Sequence, residues 1–140
     1  MDLNECYKKR NIKKIKINEE LIKSLIDMSN ANEHTVKTAV IDNINISSYV
    51  SMAYDSLREI MEAVCISYGY KVINHICLGE LIKDLIKDFD FHEFDRWRYI
   101  RNGISYYGTK VDFNQGKEII KKMFIMKNSL LKNNLTKYLK

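Results

Sequence analysis

A chain of 140 residues, 46% hydrophobic and 29% charged, is long enough for one hydrophobic core and too short for two. With no proline and only five glycines it lacks the turn residues that a β-rich chain needs at short intervals, so an all-helical domain without a sheet is expected. The formal net charge of +5 sits at the ends: residues 1–16 carry six Lys/Arg against two acids and residues 117–140 seven Lys against one Glu, which leaves the middle acidic.

Basic ends attract nucleic acid by neutralising phosphate, although terminal lysines also serve simply as solvated helix surface. No apolar run approaches the roughly 18 residues that span a bilayer, and MDLNECYKKR has polar and acidic residues where a signal peptide needs its apolar stretch. A soluble, cytoplasmic protein is therefore expected. Cys6, Cys65 and Cys77 are odd in number and lack CxxC spacing, which points to neither a disulfide framework nor a zinc knuckle and suits a reducing compartment.

Residues 1–16 read as a basic segment preceding a bundle core over 18–132. From Asn18, Leu21, Ile22, Leu25 and Ile26 recur at helical spacing, and Val36, Val40, Ile41 and Ile44 resume the pattern after the polar stretch Ser29 to His34. The pattern leaves open whether residues 18–44 form one helix or two. Ser47 or Ser48 caps the next helix, whose apolar stripe runs from Met52 through Leu57, Ile60 and Val64 to Tyr68 before Gly69 ends it. Leu78, Leu81, Ile82, Leu85, Ile86 and Phe89 define a third. Asp90 caps a fourth helix with Phe94, Trp97, Ile100 and Ile104 on its apolar side, stopped by Gly108. Asp112, with Gln115 three residues on, opens the last, which buries Phe113, Ile120, Met123, Phe124, Leu130 and Leu131. About five helices with short connections predict a single up-and-down bundle over residues 1–140.

The phosphate-loop, dinucleotide, nucleophile-elbow and zincin motifs are absent, and His34, His75 and His92 are too scattered to suggest a metal site. Cys65 falls on a core stripe, where a thiol is a small apolar group. The unusual stretch is Asp95 to Gly108. On a helix Arg98, Arg101, Asn102 and Ser105 form one stripe of donors, extended by Tyr106. Guanidinium, amide and phenol on one face can hold phosphate and stack a base. The competing reading pairs Arg98 and Arg101 with carboxylates such as Glu59 or Glu62 on a neighbouring helix. Gly103, costly inside a helix, suggests close approach of another backbone, a second subunit being one candidate.

Arg101-Asn102, three residues, then Tyr106-Tyr107-Gly108 resembles the RNxxxH signature of HEPN domains, particularly variants with an RNxIxYYG pattern. Tyr54 to Glu59, Gly69 to Lys71 and Asn74-His75 are similar to the order of elements in that family. The resemblance implies a dimeric helical bundle needing no metal or other cofactor. It also implies an RNA-directed activity of toxin–antitoxin type, a metal-independent endoribonuclease if active, and a nucleotidyltransferase as partner. It assigns the catalytic places to Arg101, Asn102 and Tyr106, with Arg98, Ser105 and Tyr107 as nucleic-acid contacts. The family's His falls on Tyr106, and a phenol with a pKa near 10 is a poor base at neutral pH. The likeness therefore implies a degenerate or weak nuclease. From the other direction, a non-catalytic protein that binds a nucleotidyltransferase or other nucleic-acid enzyme leaves the Arg-Asn pair structural.

Overall fold

The centre of the molecule is a helix apolar on nearly every side. In the computed structural model, which describes residues 1–139, this is α3, Ile46–Ser67, and Val50, Ala53, Leu57, Ile60, Met61 and Val64 on it have essentially no exposure. A helix that is hydrophobic all round must be covered on all sides. Around α3 pack α2 (Glu19–Thr38), α4 (His75–Leu85), α5 (Phe91–Tyr107) and α6 (Phe113–Asn134). A short α1 (Leu3–Lys8) and the strands β1 (Ile12–Lys14) and β2 (Tyr70–Val72) close one end, and a 3-10 turn spans Thr136–Tyr138. The described fold is a mostly helical bundle with six α-helices, one more than the periodicity indicates.

Two expectations are corrected at the N-terminus. There is a sheet, small and antiparallel, in which Ile12 faces Val72 and Lys14 faces Tyr70. Within the basic segment 1–16 Cys6 and Ile12 are buried, and at the other end so are Leu135 and Tyr138, beyond residue 132. Cys6 and Cys77 form a disulfide with Cα atoms 5.7 Å apart, leaving Cys65 as the free, buried cysteine. The odd count had hidden a pair 71 residues apart, and the cysteine argument for a reducing compartment falls with it.

The polar stretch Ser29 to His34 does not break α2, because its polar groups are spent on neighbouring helices. Ser29 Oγ donates to the Ser56 carbonyl at 2.6 Å and Ser56 Oγ returns a bond to the Ser29 carbonyl at 2.8 Å. Asn32 donates to Glu59 at 2.8 Å. The helix stops at Thr38, so Val40 and Ile44 project into solvent instead of continuing the stripe.

Asp90 and Asp112 cap α5 and α6 by accepting from the amides of Glu93 and Gln115, as their positions predict. Asn74, not foreseen, caps α4 through the amides of Ile76 and Cys77. Ser47 and Ser48 lie inside α3, and Ser47 Oγ instead accepts from the Val111 amide at 2.8 Å, tying the α5–α6 connection to α3. Gly116 lets α6 approach there: a Cβ on it would lie 2.5 Å from Ile46 Cγ1. Among the described residues no helix is long and apolar enough to cross a membrane.

Candidate functional site

Phe94 and Trp97, both buried, anchor α5 against the bundle and thereby set the direction of every other residue on it. At its end Gly108 adopts φ +63°, where a side chain is strained, and the amides of Gly108 and Thr109 both turn back to the Gly103 carbonyl. This reversal leads the chain to Lys110 and Val111 beside the last turn of α5. Between the two lies a groove of about 840 Å³. Arg98, Asn102, Tyr106, Tyr107 and Lys110 line it, and Tyr106 and Tyr107 are 72% and 84% exposed.

Four of the six expected site residues therefore meet: Arg98, Asn102, Tyr106 and Tyr107. Ser105 is exposed on α5 but does not line the groove. Arg101 also does not line it. Its Nη2 lies 3.4 Å from Asp55 Oδ1 on α3, and its guanidinium carbon sits 5.6 Å from the centre of the Tyr54 ring. The helix-linking alternative thus describes Arg101 in kind, with Asp55 as the partner. Glu62 is held by Arg58 at 2.8 Å and Glu59 by Asn32, so neither is available. Arg98 pairs with Asp95 on its own helix at 2.9 Å and keeps that position in the groove wall. A Cβ at Gly103 would meet Thr109 Oγ1 of the same chain at 3.4 Å, an ordinary contact, so nothing within the chain requires a glycine there.

Behind Arg101 the fold assembles a second group of residues. The Tyr54 hydroxyl lies 3.3 Å from His75 Nδ1, and the Tyr54 ring stacks on Phe94 at 5.7 Å between centres. Asp55 is shared, since Arg58 Nε also approaches Oδ1 at 3.6 Å. Burial pushes the Tyr54 phenol up, against the pull of the Arg101, Arg98 and Arg58 cations. Burial, reinforced by Arg58 and Arg101, pushes the His75 imidazole down to about 4, so it is neutral at physiological pH. Burial likewise raises Glu62 despite Arg58, and raises the Cys65 thiol beyond any nucleophilic range. His34 and His92 are exposed, and among the described residues no cluster of His, Cys, Asp and Glu could hold a metal ion.

The Tyr54–Asp55–His75 grouping is what residue spacing alone does not indicate. Asp55 and Arg101 are 46 positions apart, and only the order of segments in the HEPN resemblance had singled out Tyr54, Asp55 and His75 at all. No protein-family model matches this chain, and no curated protein matches it.

Proposed function

We propose that this chain is a HEPN-like, RNA-directed module that binds single-stranded RNA along the C-terminal half of α5 and cleaves it weakly or not at all. The observation that carries the reading is the groove in which Arg98, Asn102 and Lys110 supply donors beside two largely exposed tyrosines. Guanidinium and ammonium neutralise phosphate, and exposed rings stack on unpaired bases, a combination suited to a single strand rather than to a duplex. Weak cleavage follows from two features: Tyr106 stands where a base is needed, and Arg101 is engaged with Asp55 away from the groove. That same engagement favours the second reading, a non-catalytic partner of a nucleotidyltransferase in which Arg101 is structural. In either reading the face of α5 is the surface along which two copies would meet, a point for light scattering at micromolar concentration.

The test is the anisotropy of a labelled single-stranded RNA titrated with the protein at low and moderate salt. Affinity should fall steeply as salt rises, because lysine and arginine contacts release counterions. Tyr106→Ala and Tyr107→Ala should each weaken binding by about 1 kcal/mol or more. Absence of binding at low salt, or binding indifferent to salt, would transfer the case to the protein-binding reading.

A further inference from the structure

The two stretches of chain that meet in the sheet carry cations and no acids. Residues 6–18 contain six lysines and arginines without an Asp or Glu, and residues 63–79 contain Lys71 and again no acid. All seven cations are exposed, and among the described residues none is within ion-pair distance of a carboxylate. Elsewhere Arg58, Lys83, Arg96 and Arg98 each have such a partner. The acids that flank the sheet do not balance it. Asp2 accepts from the Glu5 amide as the cap of α1, and Glu62, the carboxylate whose field Lys71 feels, is held by Arg58 at 2.8 Å.

At two positions the chain accepts a cost in stability to keep these cations. Lys13 and Lys71 face each other across the ladder. The bonds from the Ile15 amide to Gly69 and from the Ile73 amide to Asn11, two residues to either side, make them a hydrogen-bonded pair, with Cα atoms about 5.5 Å apart and side chains on the same face. Like charges so placed repel and destabilise the pairing. Arg10 is the second position. α1 ends in a turn where the Asn11 amide bonds the Cys6 carbonyl at 2.9 Å and the Arg10 amide that of Tyr7 at 3.1 Å, and Arg10 takes φ +59°. Glycine adopts that conformation without strain, and the chain places an arginine there. Nor do the charges ride on a loose tail. Ile12 is buried between them, and Cys6 is bonded to Cys77, so the cations are held where they stand.

We infer that the sheet end is a second nucleic-acid surface, one that holds the phosphate backbone without reading sequence and takes a duplex as well as a single strand. A duplex carries one charge per about 1.7 Å of its axis and a layer of condensed counterions, whose release drives binding to cations that have no partner to give up. A protein partner would instead call for a buried aromatic or apolar anchor, and what the facing pair offers is two ammonium groups. The surface is distinct from the α5 groove. Val111 in the groove wall is bonded to Ser47 near the start of α3, whereas Gly69, which receives the Ile15 amide, follows the end of α3. The 22 residues of α3 separate the two by about 33 Å at 1.5 Å per residue, so no one phosphate serves both, and the inference does not rest on the groove reading.

The test uses the full chain, a short labelled blunt-ended RNA duplex and polyglutamate as an anion of another class. A duplex leaves no unpaired base for Tyr106 and Tyr107 to stack on, so it isolates the sheet end. It should bind at low salt, more tightly than polyglutamate, and Tyr106→Ala should not change its affinity. Lys13→Gln combined with Lys71→Gln should weaken duplex binding several-fold and reduce the slope of log affinity against log salt by about 1.4–1.8, the share of two phosphate contacts. The same double variant should raise the urea midpoint, because it removes a repulsion. Arg10→Gly should likewise bind more weakly and unfold later. Lysines that serve only the fold would lower the midpoint when replaced, and that result would overturn the inference. So would a duplex that does not bind at low salt, an affinity unchanged in the double variant, or duplex binding lost in Tyr106→Ala, which would give the duplex to the α5 groove. Polyglutamate bound as tightly as the duplex would overturn it in favour of an acidic protein.

Discussion

Arg101 on α5 reaches Asp55 on α3 with 3.4 Å between Nη2 and Oδ1, and its guanidinium lies against the face of Tyr54. The residue that the HEPN likeness would put on a phosphate is, within one chain, a link between two helices. Because Asp55 also serves Arg58, and because Arg101 Nε is buried without a partner, the link is not saturated. Arg101→Ala should lower the stability to urea unfolding by about 1–2 kcal/mol through the lost ion pair and cation–π contact. It should leave RNA affinity nearly unchanged, since Arg101 is outside the groove. A large loss of affinity in a fully stable variant would show instead that Arg101 turns outward to meet the strand.

Cleavage gives a second prediction. The wild type should degrade single-stranded RNA barely above background, and Tyr106→His should raise the rate because an imidazole supplies a base at working pH. Adding Arg101→Ala to that variant should leave the gain in place, because Arg101 is held by Asp55 outside the groove. Strong wild-type cleavage that survives Tyr106→Phe would contradict the degenerate-site reading and direct attention to His75, the histidine that the fold brings to Tyr54 behind Arg101.

Acid should destabilise the fold in two stages. His75 titrates lower in the folded state than the ordinary 6.5, at about 4, so the unfolded chain binds the proton more tightly. Its contribution is fully present above pH 6.5 and is lost as the pH falls toward 4. Burial raises the Glu33 carboxyl, but bonds from Lys127, Lys37 and Asn128 outweigh it and hold the group below its ordinary 4.5, so its share is lost only below that value. Urea midpoints measured from pH 7 to pH 4 should fall, and His75→Gln should flatten the upper part of the curve. An unchanged slope in that variant would show that other groups govern the upper stage.

Lys127 has no exposed surface, and its Nζ lies 2.6 Å from both Glu33 Oε1 and Asn30 Oδ1, joining α6 to α2. Breaking such a pair leaves a buried charge without compensation. Glu33→Gln should cost about 3–5 kcal/mol, whereas Lys127→Met with Glu33→Leu should cost far less, because two apolar side chains replace both desolvated ions. Thermal unfolding of the single and double variants decides it; a double variant as unstable as the single would show that the pair stabilises the core outright.

The Cys6–Cys77 link closes a loop of about 70 residues, and chain-entropy arguments give it roughly 2–4 kcal/mol. Denatured, unreduced protein should take up one alkylating group, at Cys65, and three after reduction. Reductant should shift the urea midpoint of the wild type and not that of Cys6→Ser. Uptake of three groups without reduction would disprove the bond.

Contacts within a few residues of one another decide the part of this fold that can be read along the chain. The helical class, the caps at Asp90 and Asp112, the stop at Gly108 and the buried faces of α3 and α6 follow from hydrogen bonds and side-chain neighbours three or four positions apart. Even Lys127 was visible in principle as a lysine on the apolar stripe between Met123 and Leu130. The rest depended on which surfaces meet. Three-residue strands such as β1 and β2 carry too little pattern to be seen, and they exist because Gly69 and the end of α3 bring residues 70–72 to the N-terminal segment. The same encounter pairs Cys6 with Cys77. Whether Arg101 faced a groove or a helix turned on the rotation of α5 about its buried Phe94 and Trp97, and that rotation was set by the packing of α5 against its neighbours, which no local spacing specifies.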